Sequence, residues 1–418
     1  MLTCKNLDAL TAREYFKEGY YQNGRWSGFG ALALGLTGEM ADPTAYENLL
    51  EGLSPDGKKQ LTGKKVPVEG RRAAMDCTFS APKSVSLTAL VGGDERLIEA
   101  HRTAVQQTLT LIENRYAQTR ILEKGSPRKV VNTNSLVVAQ YDHIETRELD
   151  PHLHTHCVVI NLTQLEDGRW RSLHNDAIYR NKKLLGMAYQ HYLALEVEKL
   201  GYTVEPKEHG QFEISGYREE DLMDFSKRRQ QILEAVGANN SRTERDRAWR
   251  ATRKGKVIVA PEELKAKWIE QAQALGITFV QPGTPQPIPE TPINQQSLDD
   301  AIEHCSERTV AFKQEEIEKF ILSEGLPMDV TKIEKAISKR SASRCASHKE
   351  LIRTPEKGQV RFTTQSALQR ELATLNLMQQ GQGKVTPLED PETVEEFLKA
   401  QSFTQGQKEA IASAATTT

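Results

Sequence analysis

The chain has 418 residues, with 55 Lys/Arg against 57 Asp/Glu, a formal net charge of −2, 38% hydrophobic and 27% charged residues; this marks a soluble globular class with length for roughly two or three domains. It has no apolar run of about eighteen residues, which excludes a transmembrane helix, and Met1–Asn6 carries no apolar signal core. The five cysteines, Cys4, Cys77, Cys157, Cys305 and Cys345, are scattered and odd in number, so free thiols in a reducing cytoplasm are expected rather than a disulfide framework.

In chain order, the first feature is an aromatic cluster. Tyr15, Tyr20 and Tyr21 fall within seven residues, just before Trp26-Ser27-Gly28, at the start or end of a helix. Tyrosine is a possible covalent nucleophile, but with a phenol pKa of about 10 it needs a base or a cation nearby. The plainer reading is an aromatic anchor at a helix end. Next comes Met75-Asp76-Cys77-Thr78-Phe79-Ser80-Ala81-Pro82-Lys83-Ser84-Val85-Ser86, which reads as a short strand followed by a helix with Ser80 as its cap and Pro82 early in it. Asp76, Thr78 and Ser80 share one strand face. Asp76 is a candidate general base, or a carboxylate that orients a metal-binding histidine. Asp94 to Ala117 then has the apolar spacing of a helix.

Histidines dominate the centre of the chain. Val130 to His143 and Leu153 to Leu162 read as strands rich in β-branched and aromatic residues, joined by the polar stretch Glu145 to Pro151. His154 and His156 share a face and stand roughly 7 Å apart along the strand, close enough to converge on one ion. His152 has the same parity, but it lies roughly 13 Å from His156 along an extended strand, too far to join the same site. An antiparallel pairing brings His143 opposite His154 and His156 instead. Three histidines with further positions open suit a catalytic metal site. Ordinary surface or core histidines are the alternative.

Asn181 to Leu200 reads as a second helix ending at Gly201, followed by short strands at Tyr202 to Glu205 and Phe212 to Ile214. From Ser226 to Lys256, ten Lys/Arg face three acids, a local net of +7. Lys83 and the residues of this stretch, Lys227, Arg228, Arg229, Arg242, Arg245, Arg247, Arg250, Arg253, Lys254 and Lys256, are candidates for phosphate contact. Trp249 could stack on a base, and a solvated helix face is the alternative for the whole run. Five prolines between Gln281 and Gln296 mark a linker. Helices are expected over Ser297–Gly325, Val330–Lys339 and Ala367–Gln380.

The ordered set resembles the MobF-type conjugative relaxases, the TrwC/TraI family of the HUH endonuclease superfamily. The set comprises tyrosines near the N-terminus, Asp76-x-Thr78-Phe79-Ser80-Ala81-Pro82-Lys83-Ser84-Val85-Ser86, and a histidine eleven residues ahead of His154-x-His156. Trp26-x-Gly28 and Leu34-Gly35-Leu36-Thr37-Gly38 also match, and the likeness covers roughly the first 280 residues. It implies Tyr15 as primary nucleophile, with Phe16 where a second tyrosine is common and Tyr20 and Tyr21 as the second pair. It further implies His143, His154 and His156 as metal ligands, and Asp76 as base or histidine partner. The implied reaction is metal-dependent nicking of single-stranded origin-of-transfer DNA, which leaves a 5′-phosphotyrosyl link and a free 3′-hydroxyl. Magnesium or manganese is the expected functional ion, and zinc, nickel or copper also suit three imidazoles. Expected partners are single-stranded and hairpin DNA, with accessory and coupling proteins of conjugation, in the bacterial cytoplasm and without membrane insertion.

The expected fold is α+β, with an antiparallel palm-like sheet, helices packed on one face and a mostly helical C-terminal region. The expected domains are a relaxase over 1–280, a linker over 281–296 and the front of a helicase-like region over 297–418. Phe403 to Ile411 resembles the motif ahead of a superfamily 1 nucleotide-binding loop, yet no G-x-x-x-x-G-K-[ST] occurs. Three other readings compete with the relaxase. A rolling-circle initiator or transposase of the same superfamily would use the same chemistry. A DNA-binding module with a structural metal would form no covalent product. A zinc hydrolase would leave the tyrosines unexplained.

Overall fold

A six-stranded antiparallel sheet carries both histidine segments in the computed structural model, which describes residues 1–17, 24–40, 43–63, 71–122, 127–236, 244, 259–284, 293–325, 327–342, 351–356, 359–384 and 386–416. The chain divides into two units, 1–292 with 318–333, and 293–317 with 334–418. Residues 318–333, expected within the C-terminal region, therefore group with the first unit.

In the first unit the first eight strands are β1 (Leu2–Leu7), β2 (Arg25–Ser27), β3 (Gly38–Glu39), β4 (Ala74–Ser80), β5 (Gln118–Ile121), β6 (Lys129–Asn132), β7 (Val138–Glu145) and β8 (Pro151–Ile160), and two short hairpins, Thr163–Gln164 with Trp170–Arg171 and Val204–Lys207 with Gln211–Ile214, follow. The helices that build the site are α1 (Ala9–Lys17), α2 (Phe29–Ala33), α3 (Pro43–Leu50), α4 (Lys83–Leu90), α5 (Arg96–Tyr116), α6 (Asp176–Arg180) and α7 (Lys182–Lys199). The central sheet runs β1-β4-β8-β7-β2-β3, and β5 pairs with β6 apart from it.

Strand parity divides the central sheet into two faces. Thr78 pairs with His156, His156 with Tyr141, and His154 with His143. Asp76, Thr78 and Ser80 therefore share a face with His143, His154 and His156. Ala74, Ala139, Tyr141, Val158 and Ile160 follow the same parity at the far end, where Leu7, Trp26, Tyr46 and Leu49 join them in a buried apolar cluster. One face thus has a dry half and a polar half. The opposite face carries Cys77, Phe79 and Cys157, all fully buried, and α4, α5 and α7 cover it. Phe79 stacks at 5.2 Å on Tyr189 of α7; burying such a ring contributes roughly 1.5–3 kcal/mol. The main helix layer is on one face, as the sequence implies, and α1 to α3 add cover at the dry end of the other.

Two local expectations need correction. The single strand over Val130–His143 is two strands, β6 and β7, with residues 133–137 between them. There the backbone turns to other partners: Thr133 N–H donates to Ala117 O at 2.8 Å, and Leu136 N–H to the Glu113 carboxylate at 2.6 Å. Glu113 also accepts from Phe29 N–H at 2.8 Å. Gly28 (φ +95°) sits against this turn, where a Cβ would lie 2.3 Å from Leu136 O. Second, Ser80 ends β4 and does not cap α4. Pro82 stands at the cap position, and the Glu213 carboxylate accepts from both Ser84 N–H (2.8 Å) and Ser84 Oγ (2.6 Å).

The second unit includes a helix over Gln295–Arg308, capped by the Asn294 side chain, and a hairpin of Leu351–Glu356 with Gln359–Thr364. Phe312 bridges to Phe362 of that hairpin, which the sequence reading did not foresee. Helices over Gln365–Gly381, Pro391–Lys399 and Gln405–Thr416 follow, the first two capped by Thr364 and Asp390.

Candidate metal centre

The β7–β8 register places three imidazoles on one face. The ring centroids of His143 and His154 are 5.1 Å apart, those of His143 and His156 4.8 Å, and those of His154 and His156 5.2 Å. One nitrogen from each ring lies within 4.8 Å of the others, a group that could hold a metal ion. With metal–nitrogen bonds near 2.1 Å, small side-chain rotations bring such a set onto one ion. Burial, followed by the neighbouring His156, lowers His154 to about 3, so its ring is neutral at physiological pH. Neutral imidazole is the ligating form, and the donor set fits a divalent metal ion.

Hydrogen bonds orient two of the rings. His154 Nδ1 lies 2.8 Å from the His152 carbonyl, which can only accept, so Nδ1 carries the proton and Nε2 is left for an ion. His156 Nδ1 lies 2.9 Å from Asp76 Oδ2, and Thr78 Oγ1 donates to the same oxygen at 3.1 Å. A carboxylate on Nδ1 likewise leaves Nε2 to the metal, the usual carboxylate–histidine–metal arrangement. His152 stacks at 4.9 Å on His154 but lies outside the three-ring group.

Behind the three imidazoles, on the helix-covered face, Asp142 and Thr155 are a register pair, and Thr155 Oγ1 donates to Asp142 Oδ1 at 2.7 Å. Arg25 of β2 and Arg102 of α5 each reach Asp142 Oδ2 at 2.8 Å. Burial alone would raise this carboxyl, but the hydrogen bond and charge of Arg25, then Thr155 and Arg102, outweigh it and hold it at about 2. His101 of α5 reaches Thr155 Oγ1 at 2.8 Å and Tyr189 Oη at 2.7 Å.

The remaining expected residues lie as follows. Tyr15 falls in the last turn of α1, which directly follows β1, and its side chain is outside the described residues. Tyr20, Tyr21, Arg242, Arg245, Arg247, Trp249, Arg250, Arg253, Lys254 and Lys256 are also outside them. Lys83 is half-buried; its ammonium donates to Pro151 O at 2.8 Å, and burial lowers it to about 8. Lys227 is held by Asp150, with its backbone N–H at 2.7 Å and its ammonium at 3.4 Å. Arg228 bonds Gln231, and Arg229 is exposed. The sequence reading did not single out Thr155, His101 or Tyr189. Thr155 was findable as the residue between two ligands; the other two approach only through helix packing.

Comparison with known proteins bears on residues 5–275, which match the family model of the TrwC relaxase. The chain is 38% identical over 333 residues to the multifunctional conjugation protein TraI of Escherichia coli K12. That match covers 73% of this chain, and the chain spans only 18% of the relative. Among solved structures, it is similar to the conjugative relaxase TrwC in complex with oriT DNA in a metal-free form (37% identity, TM-score 0.62), covering 67% of this chain and all of that one. A copper-bound TrwC–oriT structure matches at 36% identity and a TM-score of 0.62, with the same coverage. So does TrwC complexed with a 27-mer DNA comprising the recognition hairpin and the cleavage site, at 37% identity and a TM-score of 0.62.

Proposed function

The chain belongs to the TrwC relaxase family, and from that premise we propose that it nicks one strand of origin-of-transfer DNA and holds the cut end covalently, for conjugative transfer of a plasmid. The observation that carries this reading is the three-histidine group, with Asp76 fixed on His156 Nδ1, on a sheet whose first strand leads directly into the helix bearing Tyr15.

A divalent ion held by His143, His154 and His156 would withdraw charge from the non-bridging oxygens of the scissile phosphate and ease formation of a nearby phenolate. Tyr15 gives up its phenolic proton to solvent, and its Oη attacks phosphorus. The new O–P bond is a 5′-phosphotyrosyl link, and the bond to the leaving 3′-oxygen breaks, giving a 3′-hydroxyl once protonated. One phosphodiester replaces another, so the step needs no nucleotide hydrolysis and is reversible. Tyr20 or Tyr21 serves a second transfer. Asp76 keeps the His156 ring in its Nδ1–H form. Magnesium or manganese is the proposed working ion; zinc, nickel and copper suit the same nitrogens.

The substrate is single-stranded DNA beside a hairpin, by analogy with the matched TrwC complexes, and the basic residues from Lys227 onward are the proposed phosphate contacts. Accessory and coupling proteins of conjugation are the proposed further partners, in the bacterial cytoplasm. Among the described residues no helix is long and apolar enough to cross a membrane. Residues 1–280 are the proposed relaxase domain and 281–296 its linker; of the proposed helicase-like stretch 297–418, residues 318–333 group with the first unit.

A covalent-adduct assay tests the proposal. Oligonucleotides from candidate transfer origins are incubated with the protein and Mg²⁺ or Mn²⁺ and resolved on a denaturing gel. A protease-sensitive shifted band, lost in Tyr15→Phe and His154→Ala, is the expected result. Binding without any adduct would favour a DNA-binding module. Loss only in a Tyr20 or Tyr21 variant would move the nucleophile.

A further inference from the structure

Three buried polar side chains and the partly buried Asp142 form a continuous chain behind the three histidines, and the direction of each hydrogen bond follows from the one before it. Asp142 is clamped by the Arg25 and Arg102 guanidinium groups and acts as an acceptor, so Thr155 Oγ1 donates to it (2.7 Å). That spends the only proton of the hydroxyl. Thr155 Oγ1 therefore accepts from His101 Nε2–H (2.8 Å). The buried His101 ring is neutral, lowered to about 4 by desolvation, so Nδ1 is bare and accepts from Tyr189 Oη–H (2.7 Å). All three bonds point the same way, from α7 through α5 to the sheet, and end on a carboxylate clamped by Arg25 and Arg102. Aligned chains of this kind polarise and strengthen each member.

The placement of this chain is specific. Thr155 is the residue between His154 and His156, and Asp142 immediately precedes His143. They face each other across β7 and β8, next to the pair His143–His154. A side-chain bond between them locks the relation between the strands at the point where all three ligands leave the opposite face. A one-residue slip would turn every histidine to the wrong side.

We propose that the Tyr189–His101–Thr155–Asp142 chain is a positioning device for the three-histidine centre, acting through the sheet on the angle at which His143, His154 and His156 converge. None of its four members belongs to the three-histidine group, and the proposal rests on the metal-centre reading above.

The test is Co²⁺ binding to the full chain, followed by competition titration and by the visible d–d spectrum, beside a thermal melt without metal. Thr155→Val keeps the shape of the side chain and removes the hydroxyl, so His101 Nε2–H and Asp142 both lose a partner. The expected result is Co²⁺ affinity about 10-fold weaker or more, within the range for loss of an outer-shell partner, and a shifted spectrum. Thr155→Ser restores both. Val159→Ala, on the same face of β8 but outside the chain, lowers the melting temperature and leaves affinity and spectrum as native. If Thr155→Val does not fold, Asp142→Asn, which keeps an oxygen acceptor for Thr155 and removes the charge, is read the same way and should also weaken Co²⁺. A folded Thr155→Val or Asp142→Asn with native affinity and spectrum overturns the positioning role. Native protein that takes up no Co²⁺ overturns the metal-centre reading itself.

Discussion

Asp76 and His156 meet side chain to side chain, Oδ2 to Nδ1 at 2.9 Å, across two strands that are 80 residues apart in sequence. Thr78, next along the same face of β4, donates to that carboxylate oxygen and so holds it in place. The pair directs His156 Nδ1 to Asp76 and leaves Nε2 for the proposed metal ion.

Removing this carboxylate should show first in metal binding. Asp76→Ala is expected to weaken a divalent ion about 10- to 100-fold, the usual cost of losing an outer-shell partner. Competition with a chromophoric chelator measures it. Native affinity together with slowed adduct formation would instead assign Asp76 to proton transfer.

His101 should make stability fall in mild acid. Its folded value is depressed to about 4 from 6.5, so below pH 6.5 the unfolded chain takes up a proton that the native ring refuses. Stability is therefore full above pH 6.5 and declines as pH falls towards 4, by up to roughly 3 kcal/mol from this group. Asp142, also depressed, contributes stability that is present above its unfolded value of 3.8 and is lost as pH falls through about 2. Urea titrations at near-neutral and mildly acidic pH should show a smaller acid loss in His101→Gln than in the native protein. Equal losses would count against the assignment.

Gly28→Ala tests the turn that separates β6 from β7. The new Cβ would sit 2.3 Å from Leu136 O at φ +95°, and the expected cost is about 3 kcal/mol, at the upper end for local backbone strain. Gly35→Ala, at φ +73° with open space around it, should cost only about 1–2 kcal/mol. Urea midpoints compare the two, and equal midpoints would refute the close-approach argument.

The basic helix should divide by its ion pairs. Arg229 is exposed, whereas the Lys227 ammonium lies 3.4 Å from Asp150. If Arg229 meets a phosphate, Arg229→Ala lowers the slope of log affinity against log salt by about 0.7 for a single strand. Lys227→Ala should change it less. Fluorescence anisotropy over a salt series gives both slopes, and an unaltered slope for Arg229→Ala would remove it from the interface.

Much of the centre was legible because strand parity is a local rule. His143, His154, His156 and Asp76 could be placed on one face from alternation and a plausible loop alone. What surrounds them was less so. His101 and Tyr189 reach Thr155 only because α5 and α7 pack on the reverse of the sheet, which no local pattern encodes. Ser80 has the chemistry of a cap, but Glu213, 129 residues from Ser84, takes that part. The break after β6 was hidden for the same reason, since Glu113 competes for the Leu136 amide from a distant helix.

The three histidines lie within one hairpin, thirteen residues from first to last, whereas Asp76 must be brought in from the other end of an 80-residue loop. By the loop-closure scaling, closing the short loop costs about 1.6 kcal/mol less than closing the long one, and local contacts form sooner. The ligand set can therefore assemble early in folding, before the carboxylate that orients it has docked. If the three histidines come together before β4 docks, metal present during refolding should speed refolding. Stopped-flow refolding with and without Co²⁺ measures this, and an unchanged rate would place metal capture after the sheet is complete.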